Sequence, residues 1–260
     1  MRFRFRLVFV LFAILLAAVK AQAQLPGLIS CTASAVPPVV RAEGISEAVG
    51  DIVLSCIGDS SIVGPNLAIS ASLSLNVNIT NHKGFEASSE ITDAVMIVNE
   101  NNCTDPQPTP VFGVCGSANP AVQDPQHGLL ADVNRLEWEP FSFPVPGAAV
   151  PGGGTHPLVT TLRFTSIRAN ASQLGVPDPG TFPSEQIVAF VSLTGSINIP
   201  IGNNVLNVAT PIRGMISNVT QQATGLQCFD GNTHAIVEIE EGFATAFKTK
   251  GNASFTPGNT

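Results

Sequence analysis

The stretch LAISASLSLNVNIT, from Leu67 to Thr80, decides the fold. Apolar side chains fill every second position, and small or polar side chains fill the positions between them. A period of two indicates a β-strand with one buried face and one solvated face, and not a helix. A slip of one residue would invert both faces. We therefore place Leu67, Ile69, Leu73, Leu75 and Val77 in the core, and Ser70, Ser72, Ser74 and Asn76 outside. Because the strand is long, we expect it to bend or change partner midway.

Shorter segments of the same character recur along the chain. Together with 23 Gly and 20 Pro, which punctuate short strands, they predict about ten strands with roughly ten to fifteen residues from one to the next. Gly202-Asn203-Asn204 predicts a hairpin turn, and residues 169–174 offer one helical turn. The fold class that this spacing favours is all-β, an immunoglobulin-like antiparallel β-sandwich, with a closed β-barrel as the alternative. The remaining predicted strands are 39–43, 52–56, 94–98, 111–114, 136–143, 160–167, 186–194, 196–201, 205–209 and 235–240.

The N-terminus has the three parts of a secretory signal peptide. Arg2, Arg4 and Arg6 precede an apolar run over residues 7–19, and Ala21-Gln22-Ala23 follows as a small-x-small cleavage site. The run is short for a bilayer span, so an uncleaved membrane anchor is the weaker interpretation. We expect removal of residues 1–23 and a protein that is secreted or held at the cell surface, without a transmembrane segment after cleavage.

Charge argues against nucleic acid as a partner. The predicted leader holds four of the twelve basic residues and none of the nineteen acidic ones, so the mature chain has a net charge of −11. An acidic surface repels phosphate backbones. The expected partner is an unidentified protein or cell-surface component.

All five cysteines lie after the leader, where an oxidising compartment favours disulfides. Sequence proximity favours the pairs Cys31–Cys56 and Cys103–Cys115, and it leaves Cys228 over. No pair has the C-x-x-C spacing of a zinc or redox site.

The composition of the chain changes after Ile216, because residues 218–225 are mostly polar and resemble a linker. We expect the chain to divide into a signal peptide (1–23), a β-sandwich domain (24–217) and a linker followed by the start of a second, truncated β segment (218–260). Residues from Gln227 onward are expected to pack poorly on the main domain, and residues 251–260 to be disordered. Unpaired Cys228 and the Gly/Asn/Pro-rich tail are the reasons for this expectation.

Catalytic chemistry finds little support in the sequence. The four histidines, His82, His127, His156 and His234, lie in predicted turns or strand edges, none near a G-x-S-x-G elbow. Glu137 and Glu139 could serve as glycosidase carboxylates. On a strand, however, both point to one solvated face with Trp138 buried behind them. Glu238, Glu240 and Glu241 are likewise explained as acidic side chains on a solvated strand face.

Binding chemistry is also weakly indicated. Glu100, Asn102 and Asp105 offer oxygen ligands for calcium, but without the D-x-D-x-D-G order of a known loop. The favoured interpretation is a polar hairpin tip closed by Cys103–Cys115. Glycan recognition usually uses exposed Trp or Tyr faces, whereas this chain has one Trp, no Tyr and Phe residues that we assign to the core.

Three stretches carry a resemblance. They are VRAEG (40–44) with GDIVLSC (50–56), and LRFTSIRANA (162–171). They resemble uncharacterised secreted bacterial β-sandwich proteins, which often continue beyond a stretch like EGFATAFK (241–248). The resemblance covers most of the mature chain and implies export and a β-sandwich, but no activity.

We therefore expect an exported, non-catalytic module of the structural or adhesion type, with no cofactor. An extracellular ligand-binding module for glycan or protein is the alternative, followed by a secreted hydrolase. A binding module should show an exposed aromatic residue or a concave polar site, and an enzyme should show converging histidine and carboxylate groups.

Overall fold

The computed structural model describes residues 29–58, 64–84, 90–99, 126–176, 185–221 and 236–244, together with Ala246. Within this part the chain forms strands and no α-helix, so the all-β prediction is confirmed. One 3-10 turn, Ala171–Leu174, fulfils the expectation of a helical turn there. The strands are β1 (Ser30–Ala35), β2 (Val39–Arg41), β3 (Glu47–Ala48), β4 (Ile52–Ile57), β5 (Asn66–Leu75), β6 (Ile91–Val98), β7 (Gln126–Asp132), β8 (Arg135–Pro144), β9 (Thr160–Thr165), β10 (Arg168–Ala169), β11 (Ile187–Gly195), β12 (Ile201–Gly202), β13 (Val205–Ile212), β14 (Met215–Gln221) and β15 (Ile236–Glu241).

Eleven strands form one mixed sheet, in the order β12-β1-β4-β9-β6-β7-β8-β5-β11-β13-β2. The pairs β1–β12 and β13–β2 are parallel, and the other pairs are antiparallel. The sheet curls into a half-barrel, which leaves the immunoglobulin-like sandwich unconfirmed. Two short two-stranded sheets, β10-β3 and β14-β15, complete the described strands.

The contact between Trp138 and Phe164 shows how strongly the sheet curls. Their strands, β8 and β9, are separated by two strands in the sheet order, which would place them about 14 Å apart in a flat sheet. Their ring centroids are instead 4.8 Å apart, edge to face. The inward faces of distant strands therefore meet in a single core. Its largest fully buried side chains include Trp138, Phe143, Phe164, Leu54, Leu73 and Leu162.

Strand β5 confirms the predicted alternation. Leu73 and Leu75 are buried, whereas Ser72 and Ser74 are only half-buried. Its register with β8 shifts between Ile69 and Ala71, and the extra residue lies in β8, so the expected bend of the long strand stays a prediction. It ends at Leu75, yet burial continues to alternate through Val77 and Ile79. At Asn76 the backbone N–H donates to the Val188 carbonyl, and the side-chain amide adds bonds to the Gln186 carbonyl and the Val188 N–H, so the chain stays beside residues 186–188 after the strand ends.

The disulfide between Cys31 and Cys56 is confirmed. It joins β1 to β4, where the two cysteines are directly opposed. Cys103 and Cys115 lie outside the described residues, so that pairing stays a prediction, as does the interpretation of Cys228. The predicted strand at 111–114 lies outside them too.

Two expectations about the region around residue 200 are wrong. Of residues 196–201, only Ile201 is in a strand. Asn203, with a φ of 57°, does turn the chain, but β12 and β13 do not pair with each other as a hairpin. β12 instead pairs with β1 in parallel, at one edge of the sheet, and β13 pairs with β11, close to the other edge. Between β12 and β13 the chain therefore crosses from one edge of the curled sheet to the other.

The region after residue 217 also differs from the expected linker. Residues 218–221 belong to β14, which pairs in antiparallel register with β15. Val219 lies opposite Val237, so β-branched side chains support pairing in a stretch that looks polar in sequence. β15 does not join the eleven-stranded sheet. Residues 227–235 and 251–260 lie outside the described part, so their predicted packing and disorder are not addressed.

Candidate functional site

A shallow groove lies on the outer face of strands β8, β5 and β11. Ser72 is the direct partner of Glu137 on β8 and of Ser192 on β11, so these three side chains share one face. The Ser72 and Ser192 hydroxyl oxygens are 2.7 Å apart. The groove has a volume of about 410 Å³, and its lining residues are Ser70, Ala71, Ser72, Leu129, Glu137, Trp138, Glu139, Pro140 and Thr194.

The carboxylates of Glu137 and Glu139 lie at this groove, as the alternation along β8 predicts. Trp138 is only 1% exposed and lies on the opposite side of the strand, where its Nε1–H donates to the Gln126 carbonyl at 3.1 Å. Glu137 is half-buried and pairs with Arg135 at 3.2 Å, whereas Glu139 is exposed. The predicted arrangement of these residues is confirmed.

A β-bulge gives the groove its shape. Between Ile69 and Ala71 on β5 the partner changes from Phe141 to Trp138, so β8 has one more residue than β5 in this interval. Pro140 lies in the bulge, where the residue has no direct partner on β5. The sheet therefore needs no backbone N–H at this position, and proline is tolerated. The bulge bends β8 at Glu139-Pro140, and these two residues form part of the groove wall.

Phe190 is an exposed aromatic residue on the same outer face. It is 46% exposed, and its direct partners are Ser74 on β5 and Val205 on β13. The assignment of the Phe residues to the core is therefore wrong at this position. Strand parity could have identified it, because Ala189 and Val191 are buried and the residue between them must point outward.

The histidines of the described residues do not line the groove. His127 places Nδ1 3.0 Å from the Thr92 carbonyl, on the β6–β7 side of the sheet. The backbone N–H of His82 donates to the Asp93 carboxylate. His156 is buried in the Pro/Gly-rich loop after β8, and His234 lies outside the described part. The groove thus offers hydroxyl and carboxylate groups, which can hydrogen-bond a polar ligand.

The proposed calcium ligands Glu100, Asn102 and Asp105 lie outside the described residues, so that site is not addressed. Among the residues that are described, no group of three or more His, Cys, Asp or Glu side chains is placed to hold a metal ion. The described part of the chain contains no helix of the length and apolar character needed to cross a membrane.

A second cavity, of about 400 Å³, lies near the two ends of the sheet order. Ser34, Ala35 and Pro37 line one side of it, and residues of the turn and start of β13 line the other. The Asn203 side chain donates to the Ala33 carbonyl at 3.3 Å and so links the two sides. This cavity therefore lies where β1, near one edge of the curled sheet, comes close to β13, near the other edge.

Comparison of the chain with protein-family models and with curated proteins gives no match.

Proposed function

We propose that this chain is an exported, non-catalytic module of the adhesion type, which contacts its partner through the outer face of β8, β5 and β11. The observation that supports this proposal is the groove, in which hydroxyls from two strands lie beside two carboxylates. A strand face of this kind presents many hydrogen-bonding groups on a rigid sheet, which is how a contact surface is held in a fixed geometry. The disulfide in the same sheet suits an extracytoplasmic location.

The alternative is an extracellular ligand-binding module for a glycan, and Phe190 is the observation that favours it. An exposed aromatic ring beside serine hydroxyls can stack on a sugar ring while those hydroxyls bond the sugar. Ser192 lies two residues from Phe190 on the same face of β11 and is itself a neighbour of the groove through Ser72.

The architecture that we propose for this module remains the immunoglobulin-like sandwich of about ten strands. The contact between Trp138 and Phe164, from strands on different parts of the curled sheet, supports two opposed layers. An experimental structure of the mature chain would test this directly.

Retention on insoluble surfaces tests the function. The purified mature chain, residues 24–260, is passed over cellulose, chitin, peptidoglycan and collagen-coated beads. We expect retention on at least one of them, and about tenfold weaker retention for Thr194→Arg, because the long charged side chain fills the groove. Ser55→Arg is the matched control, since Ser55 is an exposed serine on β4, away from the groove.

Three results would count against the proposal: no retention on any surface, equal retention of Thr194→Arg and the parent chain, or equal loss in Ser55→Arg. Phe190→Ala separates the two candidates, because only sugar binding requires the ring. Export is tested separately by producing the full chain in a bacterial host and sequencing the N-terminus of the exported product, which should begin at Gln24.

A further inference from the structure

The β14–β15 ribbon, residues Met215–Gln221 and Ile236–Glu241, lies outside the eleven-stranded sheet. All six residues of β15 are exposed. The ribbon is held at its base, where the Gly214 N–H donates to the Glu43 carboxylate at 2.9 Å and the Gly242 N–H donates to the Gly214 carbonyl at 2.9 Å. Because an isolated two-stranded ribbon is marginally stable in water, a third strand would stabilise it considerably.

The register divides the ribbon into two unlike faces. Val219 lies opposite Val237, and Ser217 lies opposite Ile239, so one face carries β-branched side chains that are 48%, 55% and 60% exposed at Val219, Val237 and Ile239. The pair Met215 and Glu241 ends this face at the base of the ribbon. The other face carries Glu238 and Glu240. Their direct partners on β14 are Asn218 and Ile216, neither of which carries a charge. Among the described residues, no ion pair involves Glu238, Glu240 or Glu241.

One edge of β15 pairs with β14, and within the described part no strand pairs with the other edge of residues 237–241. An edge of this kind presents a row of backbone N–H and C=O groups that can accept an added strand. Charge restricts which strand can be added. A second β15 that pairs Ile239 with Ile239 would place Glu238 opposite Glu240, which is unfavourable, and other registers would place glutamate opposite an apolar side chain. Lysine or arginine opposite Glu238 and Glu240 is favourable.

We propose that β15 binds an extended segment of a partner protein that alternates basic and β-branched residues, and that this segment adds to the ribbon as a third strand. Its lysine or arginine side chains lie beside Glu238 and Glu240, and its valine or isoleucine side chains cover Val237 and Ile239. This interaction goes beyond the groove proposed above and is independent of it, because it uses different strands.

The test measures binding of the mature chain to a short end-blocked peptide that alternates lysine and valine. We expect saturable binding that weakens as salt is raised. The double variant Glu238→Gln/Glu240→Gln should bind about tenfold more weakly, since it removes two cross-strand charge pairs and keeps the size of both side chains. The control Glu185→Gln/Asp132→Asn removes the same charge at two exposed positions away from the ribbon and should bind like the parent.

Two further probes identify the mode of binding. A peptide of the same sequence, N-methylated at every residue, cannot donate ladder hydrogen bonds from either edge, and it should not bind if the segment adds as a strand. A peptide that alternates glutamate and valine should not bind either.

The inference is overturned if the lysine peptide does not bind, or if it binds equally to the double glutamine variant. Equal binding of the N-methylated peptide would also overturn it, because the contact would then be ionic without strand addition. Concentration-dependent dimers of the mature chain in sedimentation, abolished by Val237→Lys, would overturn it in favour of a second copy as the occupant.

Discussion

Cys31 on β1 and Cys56 on β4 are direct cross-strand partners, joined by a disulfide across Cα atoms 3.9 Å apart. Both are buried in the core. Cys31 is also the cross-strand partner of Ile201 in the parallel pair β1–β12, and β12 is the edge strand of the sheet. The bond therefore holds in place the strand, β1, on which this edge strand pairs. It thereby ties the crossing near residue 202 to the central strands.

Removal of this bond in Cys31→Ala/Cys56→Ala should lower the free energy of unfolding by about 3 kcal/mol, because the unfolded chain regains the entropy of an open loop between residues separated by 25 positions. Urea denaturation of the parent and the variant, followed by the fluorescence of Trp138, measures this change. The parent chain under reducing conditions is a second comparison and should lose at least as much, because the predicted Cys103–Cys115 bond would be reduced as well. A loss below about 1 kcal/mol in both would contradict a structural role for the bond.

Trp138 should be the most costly single residue to truncate in the core. It is 1% exposed, packs on Phe164 and donates to the Gln126 carbonyl. Trp138→Ala should cost about 3–5 kcal/mol. Trp138→Phe retains most of the apolar contact and loses the hydrogen bond, so it should cost about 1–3 kcal/mol. Circular dichroism of urea denaturation is the measurement, since the variants lack the tryptophan; equal costs would mean that the packing around the ring contributes little.

Sequence pattern identified the elements whose side chains alternate strictly. For β5 it identified the core-facing residues, and for β8 it placed Glu137 and Glu139 on one face opposite Trp138. Pattern is sufficient there because burial of one sheet face is a local property of a strand. The disulfide Cys31–Cys56 could be predicted for a similar reason, since few cysteines lie close together in sequence.

The curl of the sheet and several of the strands could not be predicted from the sequence. Strand β1 has small and polar residues that are ordinary in loops, and it is defined by its pairing with β4 and β12. Strand β14 similarly depends on β15, a partner that is distant in sequence. Such pairings are long-range, and intrinsic preference carries little information about them. The groove was missed for the same reason: Thr194 and Ser70 become neighbours only through the β5–β11 register.

Asn81 should be a stability-determining polar residue, because its buried amide bonds three groups on two separate segments. Its Nδ2 donates to Asp93 at 2.6 Å and to the Ser166 carbonyl at 2.7 Å, and its Oδ1 accepts from the Arg168 N–H at 2.8 Å. Asn81→Ala leaves two backbone groups and the Asp93 carboxylate oxygen without this partner and should cost about 2–3 kcal/mol. The control Asn78→Ala concerns a half-buried asparagine nearby and should cost less than about 0.5 kcal/mol. Similar costs in urea denaturation would show that the Asn81 bonds are replaced by water.

The ion pair between Arg41 and Glu47 should contribute more than the one between Lys83 and Glu90. Both Arg41 Nε and Nη2 donate to Glu47 Oε1, at 2.9 and 2.6 Å, and the Glu47 side chain is only 11% exposed. Both partners of the Lys83–Glu90 pair are about half exposed, so solvent screens that pair.

A double-mutant cycle of Arg41→Met and Glu47→Gln should therefore give a coupling energy of about 1–2 kcal/mol, and the cycle of Lys83→Met and Glu90→Gln about 0.5 kcal/mol or less. High salt should reduce the second coupling more than the first, because the partly buried carboxylate is shielded less by ions. Since Glu47 belongs to β3, which pairs with β10, loss of its partner should also loosen this short sheet. Faster hydrogen exchange at Ala48 and Ala169 in Arg41→Met would report that change; equal couplings and unchanged exchange would show that the Arg41–Glu47 pair acts as an ordinary surface pair.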